Sequence, residues 1–410
     1  MLMEALLYAV LGGAAFGTYP LFIRTKAVLD AKPHPIVFQL YKSSVVFLTG
    51  FLWLIPRYFQ WRDHHNDGEQ LFVFNWWAVA SAALWIPSGL ATIWSVPIIG
   101  MGLQVAIAAS ASSVVSFLTF WLLFGTRMRE HSCGDNCVYY LAPLYLFFTV
   151  SGMVCLVFSS QVAQCLRQRC CFSETSTRRR KDRQGGDTTN AYFAAASTEE
   201  EQQQKVVVTD ELLDPMAGES STSSTGSLRA ADVAKWALGI GISMMGGISA
   251  SGEFAVIQQG KKIEETRAGC AASNVTCPPA LIEAWDTFGS WYVSFGIGAL
   301  GVTLVLFLIA SCLGSTLPLH WSVLRVAGVK AGLFWVVGNF GTTRAVVRGG
   351  NAVVLSQSLS AMIITSGLWG LVYYKEGDLS LLRRSVWFAS AVFTVISMIL
   401  LGTEKLSSEM

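Results

Sequence analysis

The sequence predicts an all-α integral membrane protein whose ten transmembrane helices form two inverted five-helix repeats. Three observations carry that expectation. Of 410 residues, 52% are hydrophobic and only 14% charged, with a mean hydropathy of +0.47, whereas a water-soluble domain carries about 25% charged residues. Apolar runs of spanning length recur along the chain, and matching small and aromatic residues recur at a fixed separation in its two halves. The net charge of +2 leaves no basic face for nucleic acid, and the partner expected from composition is the lipid bilayer.

Crossing roughly 30 Å of hydrocarbon takes about 20 apolar residues in a helix. Runs of this kind fall at 5–23, 36–55, 76–99, 102–124, 139–160, 236–258, 287–313, 331–347, 352–374 and 386–402. The first begins without a basic flank and is followed by Arg24 and Lys26, which reads as a membrane helix and not as a cleaved leader. Residues 76–124 are almost uninterrupted, far too long for one crossing, and Pro97 with Gly100 and Gly102 marks the turn. Arg348, Gly349, Gly350 and Asn351 divide the eighth run from the ninth.

Between the fifth and sixth runs the composition changes. Residues 161–235 carry Arg178, Arg179, Arg180 and Lys181, then an acidic and glutamine tract, then a serine and threonine tract. Such a segment buries too little apolar area to offset its conformational entropy and reads as a solvated tether. The chain divides into a first five-helix unit at 1–160, this tether, a second unit at 236–402 and a short tail at 403–410.

The basic tether places its own face in the cytoplasm and both termini on the other side. Asn274 heads the single Asn-x-Thr glycosylation sequon, on the face opposite the tether. Cys133 with Cys137, and Cys270 with Cys277, fall on that same face, where an oxidising lumen or exterior suits two local disulfides. The four-residue spacing of Cys133 and Cys137 also fits a metal site, but only His131 stands near it and no companion pair exists, so no metal or cofactor is expected. Cys165, Cys170 and Cys171 lie among arginines just past the fifth run, as palmitoylated or free thiols.

The two halves match internally. Residues 85–92 align with 335–342, and the same separation of 250 pairs Gly100 with Gly350, Ser110 with Ser360 and Ser116 with Ser366. A second alignment sets Gly12 and Gly17 against Gly247 and Gly252. Five helices is an odd number, so the second half must insert upside down relative to the first.

With Trp85, the segment from Val96 to Leu103, Trp335 to Asn339, Gly367 to Gly370 and Tyr374 to Glu376 in view, the chain resembles the drug/metabolite transporter superfamily, nearest to the glucose/ribose/rhamnose-type sugar transporters and their eukaryotic multi-pass relatives. The resemblance covers nearly all of the membrane part and implies movement of a carbohydrate or related metabolite by alternating access. One departure stands out: Gly89 occupies the position of Asn339 in the first half.

Charge inside hydrocarbon costs about 2.5–3.5 kcal/mol even on the insertion scale, and only Lys42, Glu253 and Arg344 lie inside the ten runs. Counting residues from the inner face places Lys42 about 10 Å deep and Glu253 roughly 15 Å beyond it, level with Arg344. Glu253 therefore pairs with Arg344 in this reading, as an outer gate or coupling pair or as a structural ion pair, and does not meet Lys42. Lys42 either faces a substrate or snorkels to the interface. Trp85 and Trp335 suit the apolar face of a sugar, with Gln104, Asn339 and Gln357 as hydrogen-bonding partners.

Enzyme signatures are absent. Gly296, Gly298 and Gly301 match a dinucleotide-binding pattern literally but sit mid-span without a preceding strand, as helix-packing glycines do. The alternatives to a sugar carrier are a scaffold or receptor built on a transporter fold, and a carrier of another metabolite such as a nucleotide sugar or an amine. The plasma membrane and the endomembranes are both open.

Overall fold

The computed structural model describes residues 2–63, 70–123, 129–132, 138–159, 162–163, 165, 225–270, 276–286, 289–349, 351–374 and 381–406. Cys133, Cys137, Asn274 and residues 166–224 of the expected tether lie outside them. The chain is an all-α multi-pass membrane protein. Its helices are α1 (Leu2–Thr18), a 3₁₀ turn (Tyr19–Phe22), α2 (Lys26–Ala31), α3 (Pro35–Asp63), α4 (Trp76–Ile99), α5 (Met101–Leu118), α6 (Ala142–Val157), α7 (Thr225–Arg267), α8 (Pro279–Ala284), α9 (Ser290–Cys312), α10 (Trp321–Gly349), α11 (Asn351–Leu368) and α12 (Leu381–Leu406). Among the described residues, eight helices are long and apolar enough to cross a membrane. The other two expected spans correspond to α6, of 16 residues, and α11, of 18.

Several boundaries differ from expectation for physical reasons. The helix α10 begins ten residues before the expected run at 331, because Arg325 and Lys330 dilute its first turns without breaking its backbone. The expected run at 139 starts instead as the short strand β2 (Val138–Tyr139), paired antiparallel with β1 (His131–Ser132). Residues 225–235, expected in the tether, already form the start of α7, and that helix continues polar to Arg267. Between α4 and α5, Gly100 adopts φ +84°, a conformation only glycine takes readily, and it turns the chain at the expected place. The helix α4 starts where the Asn75 side chain accepts a hydrogen bond from the Trp77 amide, a capping interaction that satisfies one of its free donors.

Glycines set the closest helix contacts. At Gly12, α1 meets Thr342 and the Gly338 carbonyl of α10, and at Gly13 it meets the Ser358 carbonyl and Ala361 of α11. In the other half, α7 at Gly246 meets Ala91 and the Ser88 carbonyl of α4, and at Gly247 the Ala108 carbonyl and Ala111 of α5. In the absence of side chains, these backbones approach closely enough to gain dispersion energy across the whole contact. Outside this core, α3 packs on α9 and α10, and α6 on α12.

The face that carries the Cys270–Cys277 disulfide, whose Cα atoms are 5.0 Å apart, is tied together by polar contacts. Glu264 accepts both the Trp77 and the Trp285 indole N–H, each at 3.0 Å. Asn75 donates to the Ala284 carbonyl at 2.9 Å, and Arg57 of α3 pairs with Glu283 and Asp286. On the same face, His131 meets Glu404 of α12 at 2.8 Å.

Candidate functional site

The helices α1, α4, α5, α7, α10 and α11 converge on one cavity of about 70 Å³. From α4 and α10 come Trp85, Ser88, Thr92, Trp335 and Thr342. From α5 and α11 come Gln104, Val105, Ala108, Ala109, Ser112, Leu355, Ser358, Leu359 and Met362. Phe16 and Tyr19 enter from α1 and the turn after it, and Ala250, Glu253 and Phe254 from α7. Glu253 is the one charged residue on this wall among the described residues.

Polar groups on the wall are held in place from behind. Asn339 donates its amide to Glu253 Oε1 at 2.6 Å, and Thr343 in turn donates to Asn339 Oδ1 at 3.1 Å. Ser81 donates to the Glu253 backbone carbonyl at 3.0 Å, which anchors α7 against α4. Gln104 donates to the Thr92 hydroxyl at 3.2 Å, while its own Oε1 is buried with no hydrogen-bond partner among the described residues. Thr342 and Ser358 share a hydrogen bond of 2.7 Å.

Trp85 and Trp335 lie against each other, ring centroids 3.8 Å apart and planes 28° off parallel, with Phe295 of α9 at 5.7 and 5.8 Å from them. Their burial is nearly complete, at 2% and 3% exposure. In this conformation each indole covers one face of the other, and both still line the cavity.

Lys42 is fully buried, yet it is not on the cavity wall. Its ammonium lies 4.5 Å from the Tyr19 ring centroid and 5.4 Å from that of Trp85, both within cation–π range. It has no hydrogen-bond acceptor among the described residues. It makes no ion pair or hydrogen bond with Glu253, as the depth argument expected. Ser81 fixes the Glu253 backbone one helical turn from Trp85, and the lysine side chain reaches the same indole from α3. The partner of the Glu253 carboxylate is Asn339, not Arg344, because residue 339 faces α7 while Arg344 is five positions further round α10 and only half-buried.

Of the six expected substrate contacts, Trp85, Gln104 and Trp335 line the cavity, while Lys42 and Asn339 act from behind it. Gln357 is half-buried on α11 and not on the wall, since Ser358 next to it takes the inward position. Sequence reasoning missed Phe16, Tyr19, Thr92, Thr342 and Ser358. Thr92 and Thr342 closed the two segments aligned at a separation of 250, so that alignment carried the signal. Cys270 and Cys277 form the expected disulfide. Among the described residues, no group of three or more His, Cys, Asp or Glu side chains is placed to hold a metal ion.

The cavity wall presents hydroxyl and amide groups, one carboxylate, and aromatic rings. No protein-family model matches the chain, and no curated protein matches it.

Proposed function

We propose that the protein is a solute carrier that moves a carbohydrate or related small polar metabolite by alternating access, its ten helices arranged as two inverted five-helix repeats around the cavity. The observation that carries this reading is the composition of the cavity wall. Sixteen of its nineteen residues fall into pairs at constant separations: 250 for Trp85/Trp335, Thr92/Thr342, Val105/Leu355, Ala108/Ser358, Ala109/Leu359 and Ser112/Met362, and 234 for Phe16/Ala250 and Tyr19/Glu253. A cavity on a pseudo-twofold axis, walled equally by both halves, is where carriers of inverted-repeat design bind their substrate.

Local geometry supports the same pairing. The helices α5 and α11 begin and end 250 residues apart, and each runs on into a π-helical turn, Thr119–Leu123 and Trp369–Tyr373, with the same separation. The Gly13 contacts with Ser358 and Ala361 have their counterparts in Gly247 with Ala108 and Ala111. These contacts also revise the first alignment of α1 with α7 from 235 to 234, since a glycine doublet in each helix conceals a slip of one residue. The Cys270–Cys277 disulfide supports an exterior or luminal location for its face.

The test is uptake by proteoliposomes. Saturable counterflow of labelled glucose that falls in Trp335→Ala and Glu253→Gln is the expected result. A panel of sugars, nucleotide sugars and amines with no saturable uptake would favour a scaffold or receptor.

A further inference from the structure

We infer that the short helix α8 is the gate of the disulfide face, latched over the cavity by a charged and aromatic clasp, and that its counterpart α2 on the opposite face is unlatched. The structure is then the conformer closed on the disulfide side. The inference takes the inverted repeat and the alternating access of the carrier reading as given and rests on them to that extent.

The first ground is how α8 and the residues just after it are held. Arg57 of α3 pairs with Glu283 and with Asp286. Asn75, at the start of α4, donates its side-chain amide to the Ala284 carbonyl at 2.9 Å. Glu264, near the end of α7, accepts the Trp285 indole N–H on one carboxylate oxygen and the Trp77 indole N–H on the other, each at 3.0 Å. This six-residue helix is thus bound to α3 and α4 of the first half and to α7 of its own, and the Cys270–Cys277 disulfide shortens its tether to α7. Hydrogen bonds to charged groups are about twice as strong as neutral ones, and contacts that share Arg57 and Glu264 break together.

The second ground is the route from the clasp to the cavity. Trp285 stacks on Trp291 of α9, ring centroids 4.9 Å apart and planes 21° off parallel. One turn further along α9, Phe295 meets both Trp85 and Trp335, the two indoles of the cavity wall. The Val73 and Asn75 amides donate to the Ser290 and Ser294 hydroxyls at 2.9 and 3.0 Å, which closes the seam between α4 and α9 over the same stretch. Lifting α8 off α4 takes Trp285 from Trp291 and loosens the seam that leads to the indole pair.

The third ground is asymmetry. The helices α2 and α8 are each six residues long and join longer helices within their own halves. α2 packs on α10 as α8 meets α4 through Asn75, and α4 and α10 are the equivalents at a separation of 250. Yet among the described residues, none of residues 26–31 makes an ion pair or a side-chain hydrogen bond. Elsewhere on that face Trp369 donates to Thr18 at 3.2 Å and Tyr374 to the Leu21 carbonyl at 2.9 Å, with the Arg24 guanidinium over the Tyr374 ring; none of these contacts holds α2. Two inverted halves with one cover latched and the other loose describe one end state of a two-state device.

Breaking the clasp should therefore move both faces, in opposite senses. Genetically encoded spin-label pairs, which leave the native cysteines and the disulfide intact, are placed at Ile282 with Phe59 on the disulfide face and at Leu29 with Leu313 on the other, all four side chains being exposed. Distances are measured in the full chain in lipid nanodiscs. The native protein should give one short distance across the first pair. Arg57→Gln and Glu264→Gln should each raise the population with a longer distance there about tenfold or more, the scale of one lost hydrogen bond to a charged group, and should raise a shorter-distance population across the second pair to match. Trp77→Phe removes one donor but keeps a ring, and should act in the same direction more weakly; it keeps the test decisive where a charge variant does not fold. A first pair that lengthens while the second stays put marks a structural brace and overturns the inference, as does a first pair that does not respond. Counterflow in proteoliposomes separates the two readings: reciprocal distances without saturable counterflow sink the carrier and leave the latch, whereas counterflow without reciprocal distances sinks the gate and leaves the carrier.

Discussion

Adding a single methyl group at Gly13 should loosen the core of the protein. A Cβ there would run into the Ser358 carbonyl and lie 2.8 Å from the Ala361 Cβ. A helix carbonyl cannot swing aside as a flexible side chain does, so α1 has to retreat from α11. A retreat of about 0.5–1 Å forfeits roughly a quarter to a half of the dispersion energy along the contact, and overpacking of this kind costs about 1–3 kcal/mol. Gly247→Ala meets the Ala108 carbonyl and an Ala111 Cβ at 2.9 Å, so it should cost about the same. Gly241 supplies the control. It is exposed on the same helix as Gly247, and nothing lies within 4 Å of its Cβ position. Gly241→Ala should gain up to about 0.5–1 kcal/mol of helix stability. Thermal unfolding in detergent, followed by tryptophan fluorescence, ranks the three. If Gly13→Ala melts with Gly241→Ala, or if Gly13→Ala and Gly247→Ala differ grossly, the reasoning on equivalent close contacts is refuted.

Three further outcomes are expected. Glu264→Ala strands two indole N–H donors and should destabilise by about 1–3 kcal/mol per unpaired group; a melting temperature unchanged from native would remove the clasp from the account. Joint replacement of Cys270 and Cys277 by serine relieves a constraint on the unfolded chain worth about 2–3 kcal/mol for so short a loop, to be read as lower thermal stability and faster proteolysis near residue 270. Asn339→Leu removes a hydrogen bond to a buried carboxylate worth about 1.5–3 kcal/mol, and should weaken glucose binding about tenfold or more; retention of native affinity would show that Asn339 does not orient Glu253.

Much of the fold was legible because the bilayer imposes it. Charge cannot hide in hydrocarbon, so apolar runs mark the spans, and the α4–α5 turn followed from Pro97, Gly100 and Gly102. Ends were harder to read: the first turns of α10 and the last of α7 are polar and still helical, because a backbone ladder once begun continues at little cost. In the site, Trp85 and Trp335 came from the repeat, and Gln104 from its hydrogen-bonding chemistry. Tyr19 did not, since it lies beyond the end of α1 in a turn shaped by Pro20, and its counterpart is a residue of different chemistry, Glu253. The approach of Lys42 to the Tyr19 and Trp85 rings was hidden for another reason. Side-chain reach and helix tilt decide which groups share a level, and neither is written in residue spacing.

The Trp85–Trp335 stack has an optical consequence. Two indoles this close, with planes 28° off parallel, share their electronic excitations and should give a paired positive and negative band in circular dichroism. Among 14 tryptophans, these two come from helices that must part for the cavity to widen between them. The amplitude of that couplet is then a label-free gauge of how far α4 and α10 have separated, readable in the native chain while a solute is bound or released.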